Sequence, residues 1–502
     1  MDAAVAIEEN DGAADGPWAL PEGWCWTELR NVGDWTSGGT PKSNEPEYYN
    51  GGIAWFRIAE LNEGRLRMAE RTLTDRGLKE SSAKIIRAPF VMFAMYGASI
   101  GKMAISEIDA ATNQAIACCS PSRAVDIDYL FWALQRTKRN IISLGQGGAQ
   151  PNISQRILLE CKIPLAPFSE QRRIVARIDA LFAEITEGEA ALAAARKGLD
   201  TFRRALLKAA VTGELTKDWR AANRITETGH DLLDRVAKDR AQRVGARRAI
   251  GVKPLDKSAL PELPEVWAWA SLGEIGEIVG GATVDQKRKP ADPVTVPYLR
   301  VANVQRGHID LTKVKSITVE RISAVKLRLV AGDLLLNEGG DRDKIGRGWV
   351  WDGTVPDMIH QNHVFRVRLH NGCFNPFFVS HYANEMGRRF FIDEGKQTTN
   401  LASISLSKIS MLPVPIPPTA EATEILRRVS DALAASADTL AVLDAEAADA
   451  ARLKQSILKA AFEGRLVPQD PADEAASALL ARLAAKPPTP SAKRGRGRKL
   501  IA

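Results

Sequence analysis

The residue groups in this chain that come nearest to a reaction centre each lack a necessary member. A methyltransferase acting on amino groups of nucleic-acid bases needs an Asn/Asp-Pro-Pro-aromatic loop and a Gly-rich cofactor turn. Asn375-Pro376-Phe377-Phe378 lacks the second Pro, and Gly339-Gly340 with Gly346-Arg347-Gly348 does not follow strand–turn–helix spacing. A metal-dependent nuclease would want carboxylates and a lysine, as in Pro356-Asp357 with Glu394-Gly395-Lys396. That spacing is loose, and chance accounts for it better. Of the six histidines, His360 and His363 sit close together, but no Cys or third ligand accompanies them. We read His363 as a strand residue. Catalysis and metal binding are therefore not expected of this chain.

Composition points the same way without naming a function. The 502 residues are 45% hydrophobic and 26% charged, and the net charge is +7. That is a folded chain of two to four domains with a basic excess that fits a polyanionic partner. The run Lys493-Arg494-Gly495-Arg496-Gly497-Arg498-Lys499 adds a basic end. Cys25, Cys118, Cys119, Cys161 and Cys373 form no metal spacing and are odd in number, which fits unpaired thiols in a reducing compartment. The first ten residues do not read as a signal peptide, and no run of 18 apolar residues occurs. A cytoplasmic protein with no membrane span is expected.

The elements that position any site are written twice. Leu20-Pro21-Glu22-Gly23-Trp24-Cys25-Trp26 returns as Leu263-Pro264-Glu265-Val266-Trp267-Ala268-Trp269. Arg57-Ile58-Ala59 matches Arg300-Val301-Ala302, Gly64 matches Gly307, and Ile100-Gly101-Lys102 matches Ile345-Gly346-Arg347. Asn152 aligns with Asn400, Leu207-Lys208-Ala209-Ala210 with Leu458-Lys459-Ala460-Ala461, Gly213 with Gly464, and Leu215 with Leu466. The matches are residues that set backbone and core, while the polar residues between them diverge. One scaffold therefore carries two different surfaces.

Each copy divides into a globule and a rod. Val91-Met92-Phe93, Leu334-Leu335-Leu336 and Val364–Leu369 read as strands of a mixed, β-rich α/β globule. After each globule, apolar residues recur at steps of three and four. In the first copy they are Ile174, Ile178, Leu181, Ile185, Leu192, Leu199, Phe202 and Leu206. In the second they are Ile425, Val429, Leu433, Leu440, Leu443, Leu453 and Ile457. This is a coiled-coil seam, and two in one chain are expected to pack on each other. Ser169 is the expected N-cap of the first rod and Gly213 its end. The expected plan is a disordered tail (1–19), a first globule (20–168), a first long helix (169–215) and a linker with a short helix near Asp231–Arg248 (216–262). A second globule (263–418), a second long helix (419–466), and a short helix with a basic disordered tail (467–502) complete it.

Leu-Pro-x-x-Trp at each globule start, Gln150-Pro151-Asn152-Ile153-Ser154, Pro164-Leu165-Ala166-Pro167 before Ser169-Glu170-Gln171, and Phe462-Glu463-Gly464-Arg465-Leu466-Val467-Pro468 occur in one order over residues 20–485. In that arrangement the chain resembles the specificity subunits of type I restriction–modification systems. The second copy departs from the pattern, with Thr399-Asn400-Leu401 for Pro-Asn-Ile and Glu421-Ala422 for Glu-Gln. The resemblance implies an α+β fold: two target-recognition globules joined by two long antiparallel coiled-coil helices. It implies a non-catalytic chain that reads a split, asymmetric site in double-stranded DNA. Two modification (methyltransferase) subunits would dock on it, and restriction subunits can join them. S-adenosylmethionine, ATP and Mg would sit on those partners, and this chain would bind no cofactor.

Candidate DNA contacts lie in loops where the copies share backbone but not side chains. They are Tyr96, Ser99, Lys102 and Gln150 in the first copy, and Arg342, Lys344, Arg347 and Gln397 in the second. Lys and Arg suit phosphate, and Arg or Gln can pair with base edges. For Asn152 and Asn400 a turn role is favoured over base reading. The alternative reading is a coiled-coil scaffold whose two globules bind proteins.

Overall fold

In the computed structural model the described residues are 16–145, 152–244, 255–258, 260–283, 290–340, 345–370, 373–394, 396–397 and 402–484. Gln150, Arg342, Lys344, Asn400 and the basic C-terminal run lie outside them. The chain forms two compact units: residues 1–192 with 445–502, and residues 193–444. Each unit contains one globule, half of the first long helix and half of the second.

In the first unit a five-stranded sheet runs in the order Gly33–Ser37, Ile116–Pro121, Phe90–Ala94, Met103–Ser106, Arg65–Leu66. The apolar run at Phe90–Ala94 is its buried centre, as a strand covered on both faces should be. Helix Ile127–Ser143 packs Tyr129, Leu130, Ala133 and Leu134 against it. Asp126 starts that helix by accepting from the backbone N–H groups of Asp128 and Tyr129. Strand Cys25–Glu28 pairs antiparallel with Lys162–Leu165 and carries the chain to the first long helix. Trp18, upstream of the expected globule start, stacks edge-on against Trp26 and donates from its Nε1 to Phe462 O at 3.2 Å.

The second unit repeats the same strand order with different side chains. Gly276–Val279, Val364–Leu369, Leu334–Asn337 and Gly348–Val350 form its main sheet, and Ala268–Ser271 pairs with Pro413–Ile416. The fifth strand of the first sheet has no counterpart in this four-stranded one. Asn375 caps helix Pro376–Glu385 by accepting from Phe377 N at 3.0 Å. The Asn-Pro-Phe-Phe segment is thus a helix start, the counterpart of Asp126. His363 sits in the turn before Val364–Leu369, not in the strand, because its side chain is drawn to Glu338 Oε2 at 2.7 Å.

The long helices are Phe168–Thr212 and Thr419–Phe462. The first begins one residue before Ser169, so Ser169 is helical and not the cap. Gly213 (φ 80°) and Gly464 (φ 69°) end the two helices in the left-handed conformation that other residues resist. The short helices that follow are Gly229–Val244 and Ala476–Ala484, and the first of them ends before the expected Arg248. In each unit the long helices pack antiparallel. In the first, Ile174 and Ile178 share a core with Ile457 and Phe462, and Lys454 Nζ meets Glu189 at 2.7 Å. In the second, Ala210 and Val211 share a core with Ile425 and Val429, and Arg196 meets Asp444 at 2.5 Å.

Ile174, Ile178, Leu206, Ile425, Val429 and Ile457 are buried, while Leu181, Ile185, Leu192, Leu199, Leu433 and Leu443 are half-buried. Where only two helices face each other, neither can enclose a side chain fully. Three expected seam residues are exposed: Phe202 (47%), Leu440 (43%) and Leu453 (51%). Phe202 and its neighbour Arg203 are both exposed, between half-buried Leu199 and buried Leu206. Lys454 occupies the seam position next to Leu453. Leu440 falls between half-buried Ser436 and Leu443.

Candidate nucleic-acid interface

Two segments far apart in sequence meet in each globule. In the first, the chain leaves Phe90–Ala94, turns through Gly97–Ser99 and re-enters the sheet at Met103. Gly101 N donates to Ala94 O at 2.9 Å and Ala94 N to Lys102 O at 2.8 Å, which closes the loop. Gly101 is needed twice over: its φ is 78°, and a Cβ there would stand 2.8 Å from Ile142. Tyr96 then bridges Asn152, and Ile153 N donates to Met95 O at 2.9 Å. Ile153 is wholly buried, and Ser154 caps the helix Gln155–Glu160. The Tyr96–Lys102 loop and the Asn152-Ile153-Ser154 segment are therefore joined.

The second globule builds the same junction. Gly346 N donates to Asn337 O at 3.0 Å, Asn337 N to Arg347 O at 2.9 Å, and Ile404 N to Glu338 O at 2.9 Å. Gly339–Gly340 pairs with Ala402–Ser403, which in turn pairs with Lys396–Gln397. This geometry corrects the alignment of the copies: Gly339 faces Ser403 as Tyr96 faces Asn152. The counterpart of Asn152 is Ser403, not Asn400, and Ile404-Ser405 answers Ile153-Ser154. Backbone pairing outranks the identity of a single Asn, because the buried Ile and the capping Ser are what the fold needs.

The candidate side chains differ in availability. Tyr96 is 39% exposed, Lys102 is exposed and Ser99 is half-buried. Arg347 is half-buried and donates from Nη2 to Val301 O at 3.2 Å, so its guanidinium helps hold the loop. It holds the backbone position of Lys102 but its side chain is less exposed. Of Gln397 only the backbone lies in the described residues.

One duplicated feature escaped the sequence reading. The Trp of each Leu-Pro-x-x-Trp donates to a Glu near the start of a long helix. Trp24 Nε1 meets Glu170 Oε2 at 3.0 Å, and Trp267 Nε1 meets Glu421 Oε2 at 2.9 Å. Burial lifts the Glu170 carboxyl above its usual range. Glu421 also accepts from Thr216 Oγ1 at 2.7 Å and pairs with Arg220. The signal was present: a carboxylate third after the last Pro before the helix in both copies, Glu170 after Pro167 and Glu421 after Pro418. Beside it, buried Gln171 is fully used, donating to Ala124 O and Ala166 O and accepting from Asp126 N. Ala422 in the second copy forgoes that network.

The remaining enzyme candidates resolve into structure. His360 is buried and hydrogen-bonded to Val364 O, and burial pushes its pKa down to about 4. Asp357 pairs with Arg328, and Glu394 with Lys408. Among the described residues no group of three or more His, Cys, Asp or Glu could hold a metal ion, and no helix is long and apolar enough to cross a membrane.

Comparison with known proteins agrees with this architecture. The type I restriction modification DNA specificity domain matches residues 21–193 and again 264–440. The type I restriction enzyme EcoKI specificity subunit of Escherichia coli K12 is 24% identical over 465 residues, covering 90% of each chain. The EcoDI specificity subunit of Escherichia coli is 25% identical over 355 residues, 69% of this chain and 71% of the relative. A chain solved in work on complex assembly and conformational transition of the type I R-M system matches with a TM-score of 0.63 at 18% identity, covering 89% of this chain and 100% of that one. The duplicated sheet, the paired long helices and two consecutive domain matches lead to one conclusion: this chain belongs to the family of type I restriction–modification DNA specificity subunits.

Proposed function

We propose that each globule reads one part of a split, asymmetric DNA site, and that the chain recruits methyltransferase subunits to it without performing chemistry itself. The observation that carries this reading is the repeated loop junction: the same backbone in both copies, dressed with different side chains. A duplicated reader with unlike surfaces suits two unlike half-sites. Tyr96, Ser99, Lys102 and Gln150 are the proposed contacts of the first globule, and Arg342, Lys344, Arg347 and Gln397 those of the second. Lys102 would meet phosphate. The partner subunits would carry S-adenosylmethionine, and ATP and Mg where a restriction subunit joins. Two methyltransferase subunits would fit the two-copy plan. Since its substrate is chromosomal DNA, the complex would work in the cytoplasm.

Modified-base sequencing of the host with and without this gene tests the reading. Loss of adenine methylation at one split motif is the expected result, and an unchanged methylome in an otherwise active system would overturn it. In vitro, Lys102→Glu in the complex with its methyltransferase should weaken binding to all DNA sequences alike. The slope of log affinity against log salt should fall by about 0.9 for the lost phosphate contact. A protein-binding scaffold would show neither effect.

A further inference from the structure

The second unit contains a cleft of about 990 Å³ between its globule and the long helices. Arg203 and Arg204 come to it from the first long helix, and Arg306 and Arg388 from the globule. Among the described residues Arg203 and Arg388 carry no ion pair with a carboxylate within 4.0 Å. Arg306 is held in place by donating from Nη1 to Asn384 O at 2.8 Å. Among the described residues that line the cleft, Glu385 is the carboxylate beside the four guanidinium groups, and its burial raises its pKa against their pull. Trp349 is the aromatic shelf of the cleft, and it meets Phe377 and His381 edge to face, at ring separations of 5.6 and 5.2 Å with planes 67° and 77° apart. Burial and Arg203 push His381 down to about 4, so at neutral pH it is an uncharged ring. Phe377 is 41% exposed.

The first unit serves as an internal control, because the same place there is filled. Trp132, the sixth residue of its capped helix as His381 is of its own, packs edge-on against Phe182 of the long helix at 4.9 Å. Its Nε1 donates to Asp179 at 3.2 Å. The counterpart of Arg306 is Glu63, which is tied to Lys138 at 2.8 Å and to Gln135. The scaffold does not require a cleft, therefore, and does not require arginines around it.

We infer that the cleft of the second unit binds a nucleoside polyphosphate, with Arg203, Arg204, Arg306 and Arg388 on the phosphates and the base against Trp349. Guanidinium forks match phosphate oxygens in pairs, and every base has a face to lay on an aromatic ring. An inorganic anion would use the arginines and leave the shelf idle. The site adjoins the second globule's proposed DNA-reading loop, since Gly348, next to Arg347, donates from its N to Asn384 Oδ1 at 3.1 Å, so duplex DNA is the competing anion that the test must separate.

Isothermal titration of the full-length chain with ADP, ATP, pyrophosphate and inorganic phosphate tests the inference. Saturable binding of ADP and ATP is expected, tighter than that of pyrophosphate, with inorganic phosphate weakest. Arg203→Ala with Arg388→Ala should weaken ADP at least about tenfold, with the circular-dichroism melt unchanged. Trp349→Ala should remove the preference for ADP over pyrophosphate. Glu385→Gln should tighten ADP, a gain that misfolding cannot mimic. The inference is overturned if the native chain shows no saturable nucleotide binding at millimolar concentration, or if neither the arginine pair nor Glu385→Gln changes the affinity. It is also overturned if the arginine variants weaken only duplex DNA, which would make the cleft's anion the DNA backbone.

Discussion

Glu421→Ala will lower the stability of the second unit by about 3–5 kcal/mol, the cost of stripping one partner from a buried ion pair. The Glu421 side chain has no solvent exposure, and that of Arg220 has 17%. The substitution removes the acceptor for Trp267 Nε1 and Thr216 Oγ1 as well as the countercharge for Arg220. Three elements lose their common tie: the globule entry, the end of the first long helix and the start of the second. A domain of ordinary stability has about 5–15 kcal/mol in hand, so the loss is a large share of it. The urea midpoint of unfolding measures it. Glu170→Ala in the first unit is the matched comparison. Glu170 accepts from Trp24 at 3.0 Å and Gln469 at 3.3 Å, with no guanidinium bound to it directly. Its loss should cost about 1–3 kcal/mol, the price of buried donors left unsatisfied. Equal midpoints for Glu421→Ala and the native chain would show that this node does not hold the second unit together.

Inserting one heptad into each long helix, after Leu192 in the first and after Asp444 in the second, should abolish methylation at the original site and create a new one. The new site should keep both half-sequences and gain about three base pairs of spacer. Seven residues add about 10.5 Å of helix at 1.5 Å each, and B-DNA advances about 3.4 Å per base pair. Seven is the number that keeps the three-and-four seam in phase, and both helices must change together because they pack antiparallel in each unit. Genome-wide modified-base sequencing reads the outcome in one experiment. The insertion tests a spacing role for the long helices, and an altered half-sequence, or an unaltered spacer in an active complex, contradicts that role. The insertion leaves Lys102 and the loop junctions untouched, so it separates spacing from reading.

What the sequence determined by itself is the duplicated plan. Its evidence is one-dimensional: a repeat of Trp, Gly and Pro anchors, a strand-length apolar run such as Phe90–Ala94, and a step of three and four along each rod. Those patterns follow from backbone geometry, so they are legible without neighbours. Gly213 and Gly464 ended their helices where expected, because the left-handed turn is a local demand. Whatever depended on which residues meet across the fold was decided only by the tertiary structure. Ser403 and not Asn400 answers Asn152, since strand pairing fixes the correspondence. Arg347 is spent partly on Val301 O while Lys102 stays exposed, although the two align in sequence. Leu453 keeps the apolar spacing but yields the seam to half-buried Lys454, because a shift of one residue turns a side chain through about 100°. The Trp–Glu nodes join residues 146 and 154 positions apart. Periodicity carries no trace of such a partnership: a hydrogen bond depends on distance in space, and sequence spacing constrains that distance only within a few residues.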